Sequence, residues 1–189
     1  MLFLASQSPR RSELLRQLGF EFDVLDVDVP EVRVPGEPAA DYVSRVAREK
    51  AGAGLLQVVA VPDAIVIGAD TEVVLGDEVF GKPADAAAAA AMLGRLSGRV
   101  HRVVSTLWCV SAGREEHAVS ESNVEFATLD AAMIAAYVAT GEPFGKAGAY
   151  AIQGRAAAFI RRLEGSYSGV MGLPLHETSE VLGRFGIIR

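Results

Sequence analysis

Short apolar runs alternate along this chain with helix-length stretches, and no other feature restricts its fold so much. Leu2 to Ala5 is an apolar run. Ser6-Gln7-Ser8-Pro9-Arg10-Arg11 then opens a helix that stops before Gly19; Ser8 stands where a cap is needed, Pro9 suits the first helical position and Gly19 the left-handed stop. Phe20, Phe22 and Val24 alternate with acidic residues, the pattern of a half-buried strand. Pro30, Pro35 and Pro38 mark an irregular loop, and Asp41 to about Leu56 is helical, with Val43, Val46 and Ala47 as its apolar stripe and Arg45 to Glu49 as an i, i+4 pair.

Ala64 to Ala69 reads as a buried strand ending at Asp70-Thr71, followed by a hairpin of Glu72–Leu75 and Glu78–Phe80 around Gly76-Asp77. Asp85 to Ser97 is a helix stopped by Gly98. Val100–Ser111 and Glu116–Thr128 are long strands joined at Gly113, and Asp130 caps a helix ending at Gly141. After a glycine-rich loop come a strand near Ala157–Leu163 and a last helix around Pro174–Phe185. The expected class is α/β: a mixed, twisted sheet with flanking helices, in one domain over residues 1–189.

Composition removes several classes of function. A net charge of −6 over 189 residues argues against binding nucleic-acid polymers, whose affinity rests on many phosphate neutralisations. No apolar run approaches the roughly 18 residues of a membrane span, and the start lacks the cationic region of a signal peptide, so a cytoplasmic protein without a membrane partner is expected. The single cysteine, Cys109, excludes an intramolecular disulfide and reads as a small buried hydrophobe. His101, His117 and His176 are too scattered for a helical metal pair. Gly76 to Lys82 has the spacing of a P-loop, but Pro83 stands where a hydroxyl and an N–H are required, so that reading fails.

Four segments carry chemistry. Ser6 to Arg11 lies where a strand hands over to a helix, and its two serines, two arginines and free helix N–H groups suit a polyphosphate as well as they suit a plain serine cap. Asp70, at the expected end of a buried strand, can bind a divalent metal, take a proton from water, or serve as a cap; Gly68 permits close backbone approach. Lys50 lies on the apolar side of its helix and either snorkels to water or points into a cleft. The loop Gly145 to Gly154 offers Gln153 as both donor and acceptor for a base edge, or packs structurally. Lys82 and Glu31 join this set as a cation and an acid in loops.

In this order, Ser6-Gln7-Ser8-Pro9-Arg10-Arg11, Ala47 to Ala51 around Lys50, Gly68-Ala69-Asp70-Thr71, Gly81-Lys82-Pro83, Leu96-Ser97-Gly98, Gly145 to Gly154, and Gly165-Ser166-Tyr167 through Leu175 resemble the Maf family of nucleoside triphosphate pyrophosphatases. The resemblance spans nearly the whole chain. It implies a fold like that of the inosine triphosphate pyrophosphatases, with two lobes around a cleft, and hydrolysis of a nucleoside triphosphate to the monophosphate and pyrophosphate. It implies Asp70 as proton acceptor and Arg10, Arg11, Lys50 and Lys82 as phosphate-handling cations, with Ser6 and Ser8 beside them. Glu31, with Asp70, is the acid expected to hold a divalent cation, Mg²⁺ or Mn²⁺. Arg10, Thr71 and Gln153 match the branch acting on dTTP and UTP. A non-catalytic nucleotide-binding regulator of cell division is the alternative, and a phosphotransferase a third reading disfavoured by the missing P-loop. Apolar strand and helix faces would serve a homodimer or a core equally.

Overall fold

The computed structural model describes residues 1–187. Seven strands form one mixed sheet: β1 (Leu2–Ala5), β2 (Asp23–Val24), β3 (Ile65–Leu75), β4 (Glu78–Phe80), β5 (Val100–Ser111), β6 (Arg114–Phe126) and β7 (Ile160–Glu164). Their order is β2-β1-β3-β5-β6-β7, with β4 folding back on β3. β1 runs parallel to β2 and β3, while β3, β5, β6 and β7 pair antiparallel. The expected mixed α/β class is therefore what the chain adopts.

Side-chain alternation along the strands decides where the helices go. Leu2, Leu4, Ile67, Ala69, Leu107 and Cys109 form one apolar face, closed by Leu14 and Leu15 of α1 (Pro9–Gln17) and by Val181 and Leu182 of α6 (Leu175–Arg184). Phe3, Ala5, Val66 and Val74 belong to the opposite face, covered by Val43, Val46 and Ala51 of α2 (Ala39–Gln57). Each of these fully buried leucines or valines contributes about 1.5–3 kcal/mol. A separate cluster holds α3 (Ala86–Leu96) and α4 (Ala131–Val138) against the far ends of β3, β5 and β6, with Phe80, Phe126, Tyr150 and Phe159 at its centre. Members of both groups, Ala5 on one side and Val73, Val103, Tyr150 and Ile152 on the other, line a cleft. Among the described residues no helix is long and apolar enough to cross a membrane.

Several boundaries differ from the sequence reading. The strand expected to stop at Asp70-Thr71 continues unbroken from Ile65 to Leu75, so Asp70 lies mid-strand, paired with Thr106 of β5. Phe20 and Phe22 pack against the apolar cluster without joining the sheet, and β2 is only Asp23–Val24. The expected strand start near Ala157 is a 3₁₀ turn, Arg155–Phe159, and a further short helix, α5 (Tyr167–Met171), precedes α6. The P-loop look-alike is the β3–β4 hairpin, with Gly76 in its left-handed turn at φ 63°.

Candidate active site

One cleft of about 680 Å³ gathers the residues the sequence singled out, a size within the roughly 300–1,000 Å³ of small-ligand sites. Ser6, Ser8, Arg10, Arg11, Glu31, Lys50, Asp70, Thr71, Lys82 and Gln153 all line it. They come from the β1–α1 junction, the loop before α2, α2 itself, mid-β3, the loop after β4 and the loop after α4.

Close packing of α2 on β3 delivers Lys50. A Cβ on Gly68 would lie 2.3 Å from the Ala47 carbonyl oxygen and 2.5 Å from the Ala51 nitrogen, so only glycine lets the helix backbone approach the strand this closely. Lys50 is consequently buried, and its ammonium donates to Asp70 Oδ1 at 2.8 Å and to Glu31 Oε1 at 2.6 Å. Of the two orientations open to it, the lysine takes the one into the cleft. Lys82 donates to the other oxygen, Glu31 Oε2, at 2.5 Å. Burial raises the Glu31 carboxyl, but hydrogen bonds from Lys50 and Lys82 outweigh this and hold it at about 2.

Arg11 is gripped from three sides. Its Nε donates to the Gly172 carbonyl at 2.9 Å, Nη1 to Ser6 Oγ at 3.2 Å and Nη2 to Thr71 Oγ1 at 3.4 Å. Ser105 Oγ gives its proton to the Gly169 carbonyl at 2.6 Å, so Thr71 donates to Ser105 at 2.8 Å and accepts from Arg11. Thr71 therefore fixes the guanidinium. Burial lowers the Arg11 pKa, and Asp70, Glu31 and Glu72 oppose that from across the cleft. Arg10 beside it is lowered by burial and by Arg11, and makes no ion pair among the described residues. Ser8 occupies the N-cap of α1 but makes no side-chain capping bond, contrary to the sequence reading. The first N–H groups of the helix are thus left for a ligand.

Asp70 keeps a second oxygen, Oδ2, that is buried and has no hydrogen-bond partner. Glu72, two residues on and on the same face of β3, repeats this: it is buried, lines the cleft, and its Oε2 lacks a partner. Burial, then Asp70 and Glu31, push its carboxyl up to about 8. Sequence reasoning missed Glu72, although the period-two spacing of Asp70 and Glu72 was the available signal. It also passed over Lys146, which lines the cleft, donates to the Glu142 carbonyl at 2.5 Å and is lowered by burial and by Arg10. Gln153 is exposed at the rim of the cleft, on a loop pinned where Gly148 packs on Val73 and donates to the Gly81 carbonyl.

A mixed α/β sheet here gathers a buried guanidinium, two lysines, an uncapped helix start and an unpartnered carboxylate oxygen in one cleft, a donor set suited to a chain of phosphates. The chain belongs to the Maf family: the family model described as "Maf-like protein" matches residues 1–185. A "dTTP/UTP pyrophosphatase" from Xanthomonas euvesicatoria pv. vesicatoria (strain 85-10) is 61% identical over 188 residues, covering 98% of this chain and 99% of that one. A "Nucleoside triphosphate pyrophosphatase" from Xylella fastidiosa (strain 9a5c) is 54% identical over 186 residues, covering 98% of each chain. Among solved structures, the Staphylococcus aureus Ham1 protein covers 67% of this chain, and this chain 71% of it, at a TM-score of 0.44 and 15% identity.

Proposed function

We propose that this chain hydrolyses dTTP and UTP to the monophosphate and pyrophosphate. The observation that carries the reading is the unpartnered, buried Oδ2 of Asp70 in a cleft that Lys50, Lys82, Arg10 and Arg11 also line. High identity over nearly full length to a relative named for this activity supports it.

Asp70 Oδ2 accepts a proton from water, and the oxygen of that water bonds to the α-phosphorus. The bond from the α-phosphorus to the bridging oxygen breaks, and its electron pair leaves with pyrophosphate. Lys50 holds Asp70 in place through Oδ1, which leaves Oδ2 as the acceptor. Arg11, locked by Gly172, Ser6 and Thr71, presents a preset positive charge where negative charge builds, so little reorganisation is needed during reaction. Arg10 and the open N–H groups of α1 hold the outer phosphates. Gln153, at the rim of the cleft that Thr71 and Arg11 also line, reads the pyrimidine edge; a pocket of paired polar groups rejects a mismatched base by leaving them unsatisfied.

Carboxylate oxygens are the donors that Mg²⁺ and Mn²⁺ prefer, and the unpartnered Oδ2 of Asp70 fits such an ion. Glu31 fits only by exchanging a lysine, because both its oxygens are occupied. A divalent cation bound here would supply neutralisation of phosphate charge. The decisive experiment is a product-resolved screen of nucleoside triphosphates with Mg²⁺. Pyrophosphate and monophosphate from dTTP and UTP are expected. Orthophosphate alone, or purine triphosphates turned over faster, would overturn the reading.

A further inference from the structure

Gln153 projects from a loop whose two flanks are tied to one carboxylate. Tyr137, buried near the end of α4, donates its hydroxyl proton to Glu142 Oε1 at 2.8 Å and accepts from the Ala151 N–H at 3.3 Å. The other oxygen, Glu142 Oε2, accepts at 3.0 Å from the N–H of Arg155, the first residue of the 3₁₀ turn, which has no side-chain cap from Gly154. Gln153 thus sits midway between two anchored peptides, those of residues 151 and 155. Gly154 is what admits the carboxylate: a Cβ there would lie 2.2 Å from Glu142 Oε1 and 2.4 Å from Cδ. Burial raises the Glu142 carboxyl, but the Arg155 N–H and the Tyr137 hydroxyl outweigh this and hold it below its ordinary range, so it is ionised. Neither Tyr137 nor Glu142 lines the cleft.

We propose that Tyr137 and Glu142 are positioning residues for base recognition: from outside the cleft they fix the peptide that presents Gln153, and discrimination among nucleotides depends on them. This rests on the reading of Gln153 as the partner of the base edge. An exposed glutamine amide is directional only when the backbone beneath it is held, and a loop set before the ligand arrives loses less entropy on binding. Glu142 also serves the other end of the loop through its main chain, where its carbonyl accepts from the ammonium of Lys146, a residue that lines the cleft, at 2.5 Å. The side chain of Glu142 therefore supports the base reader and its carbonyl a cleft cation. Disturbing the carboxylate alone separates the two: base recognition weakens while phosphate recognition stays.

Steady-state kinetics with dTTP and dATP on the wild type, Tyr137→Phe, Gly154→Ala and Gln153→Ala test this. Tyr137→Phe keeps the ring against Phe159 and removes only the hydroxyl, and Gly154→Ala displaces the carboxylate without altering it, so two unlike changes probe one contact. Each should raise KM for dTTP by roughly fivefold or more with kcat within about threefold, and should narrow the kcat/KM ratio of dTTP to dATP accordingly. Inhibition by inorganic pyrophosphate, which engages the phosphate groups alone, should stay within about twofold of wild type. Added to Gln153→Ala, Tyr137→Phe should change the dTTP to dATP ratio by less than about twofold, because the side chain it positions is gone. Wild-type discrimination in both Tyr137→Phe and Gly154→Ala, a further loss in the double variant, or an equal weakening of pyrophosphate inhibition would each overturn the proposal. Gln153→Ala alone reads the underlying assignment. If it keeps wild-type discrimination, Gln153 is not the base reader and the proposal falls with it; if it loses discrimination while the other two keep it, the base reader stands and only its support falls.

Discussion

Lys50 is the side chain on which most of the site depends, because it joins an acid from the loop before α2 to an acid in the middle of the sheet. Replacing it with methionine leaves Glu31 and Asp70 facing each other without a cation. The expected cost is about 3 kcal/mol, the low end for breaking a buried pair, since Glu31 keeps Lys82 and some solvent. Urea denaturation measures it, and a change below about 1 kcal/mol would mean the pair is far better solvated than its burial implies. Asp70→Asn tests the chemistry at constant size: kcat should fall by roughly 10²–10⁴ with the thermal melt nearly unchanged, and near wild-type turnover at saturating Mg²⁺ would remove Asp70 from its role. Individually, Asp70, Arg11 and Lys82 were visible in the chain as charged residues next to apolar runs or loops. Their partners were not, because Arg11 meets Gly172 across 161 residues and Lys82 meets Glu31 across 51. Glu31 lies in a proline-marked loop with no period to place it.

At the level of elements, the contact between α2 and β3 is what the chemistry stands on. Gly68→Ala puts a methyl group inside the helix backbone, so α2 must lift from the strand. About 1–3 kcal/mol of stability should be lost, with a drop in kcat that exceeds any change in KM, because Lys50 moves with its helix. Equal thermal melts for variant and wild type would show that the helix gives way freely. Apolar periodicity made α2 legible to within two residues at its start, and β5 to the residue. β3 was split at Asp70-Thr71 for a physical reason: these are adjacent polar residues at the centre of a sheet, where a buried-strand pattern has none. Polar side chains survive there because the cleft and its cations surround them, and the sequence rule failed where the site breaks it. The 3₁₀ turn at Arg155–Phe159 was missed differently, since alanines and a phenylalanine suit either geometry.

Across the whole molecule, stability should depend on pH through a group that does not line the cleft. His101 is buried, its Nε2 2.9 Å from the Tyr150 hydroxyl and its Nδ1 without a partner, and burial pulls its pKa down to about 4. An unfolded histidine protonates near 6.5. Between these values the unfolded chain holds more protons than the folded one, so stability falls as pH drops from 6.5 towards 4, by on the order of 3 kcal/mol in full. Urea denaturation of wild type and His101→Gln at pH 7 and 4.5 checks this: the variant should show the shallower dependence, and parallel profiles would clear His101 of the effect.

The double hold of Glu31 on Lys50 and Lys82 also bears on what the cleft admits. Both ammonium groups are already paired with a carboxylate the protein carries itself, so any newcomer must win an exchange rather than fill a vacancy. Orthophosphate, sulfate or a nucleoside monophosphate brings one weak competitor to that exchange. A triphosphate brings several linked ones, and once it has been cut the carboxylate can reclaim both lysines and help evict the pieces.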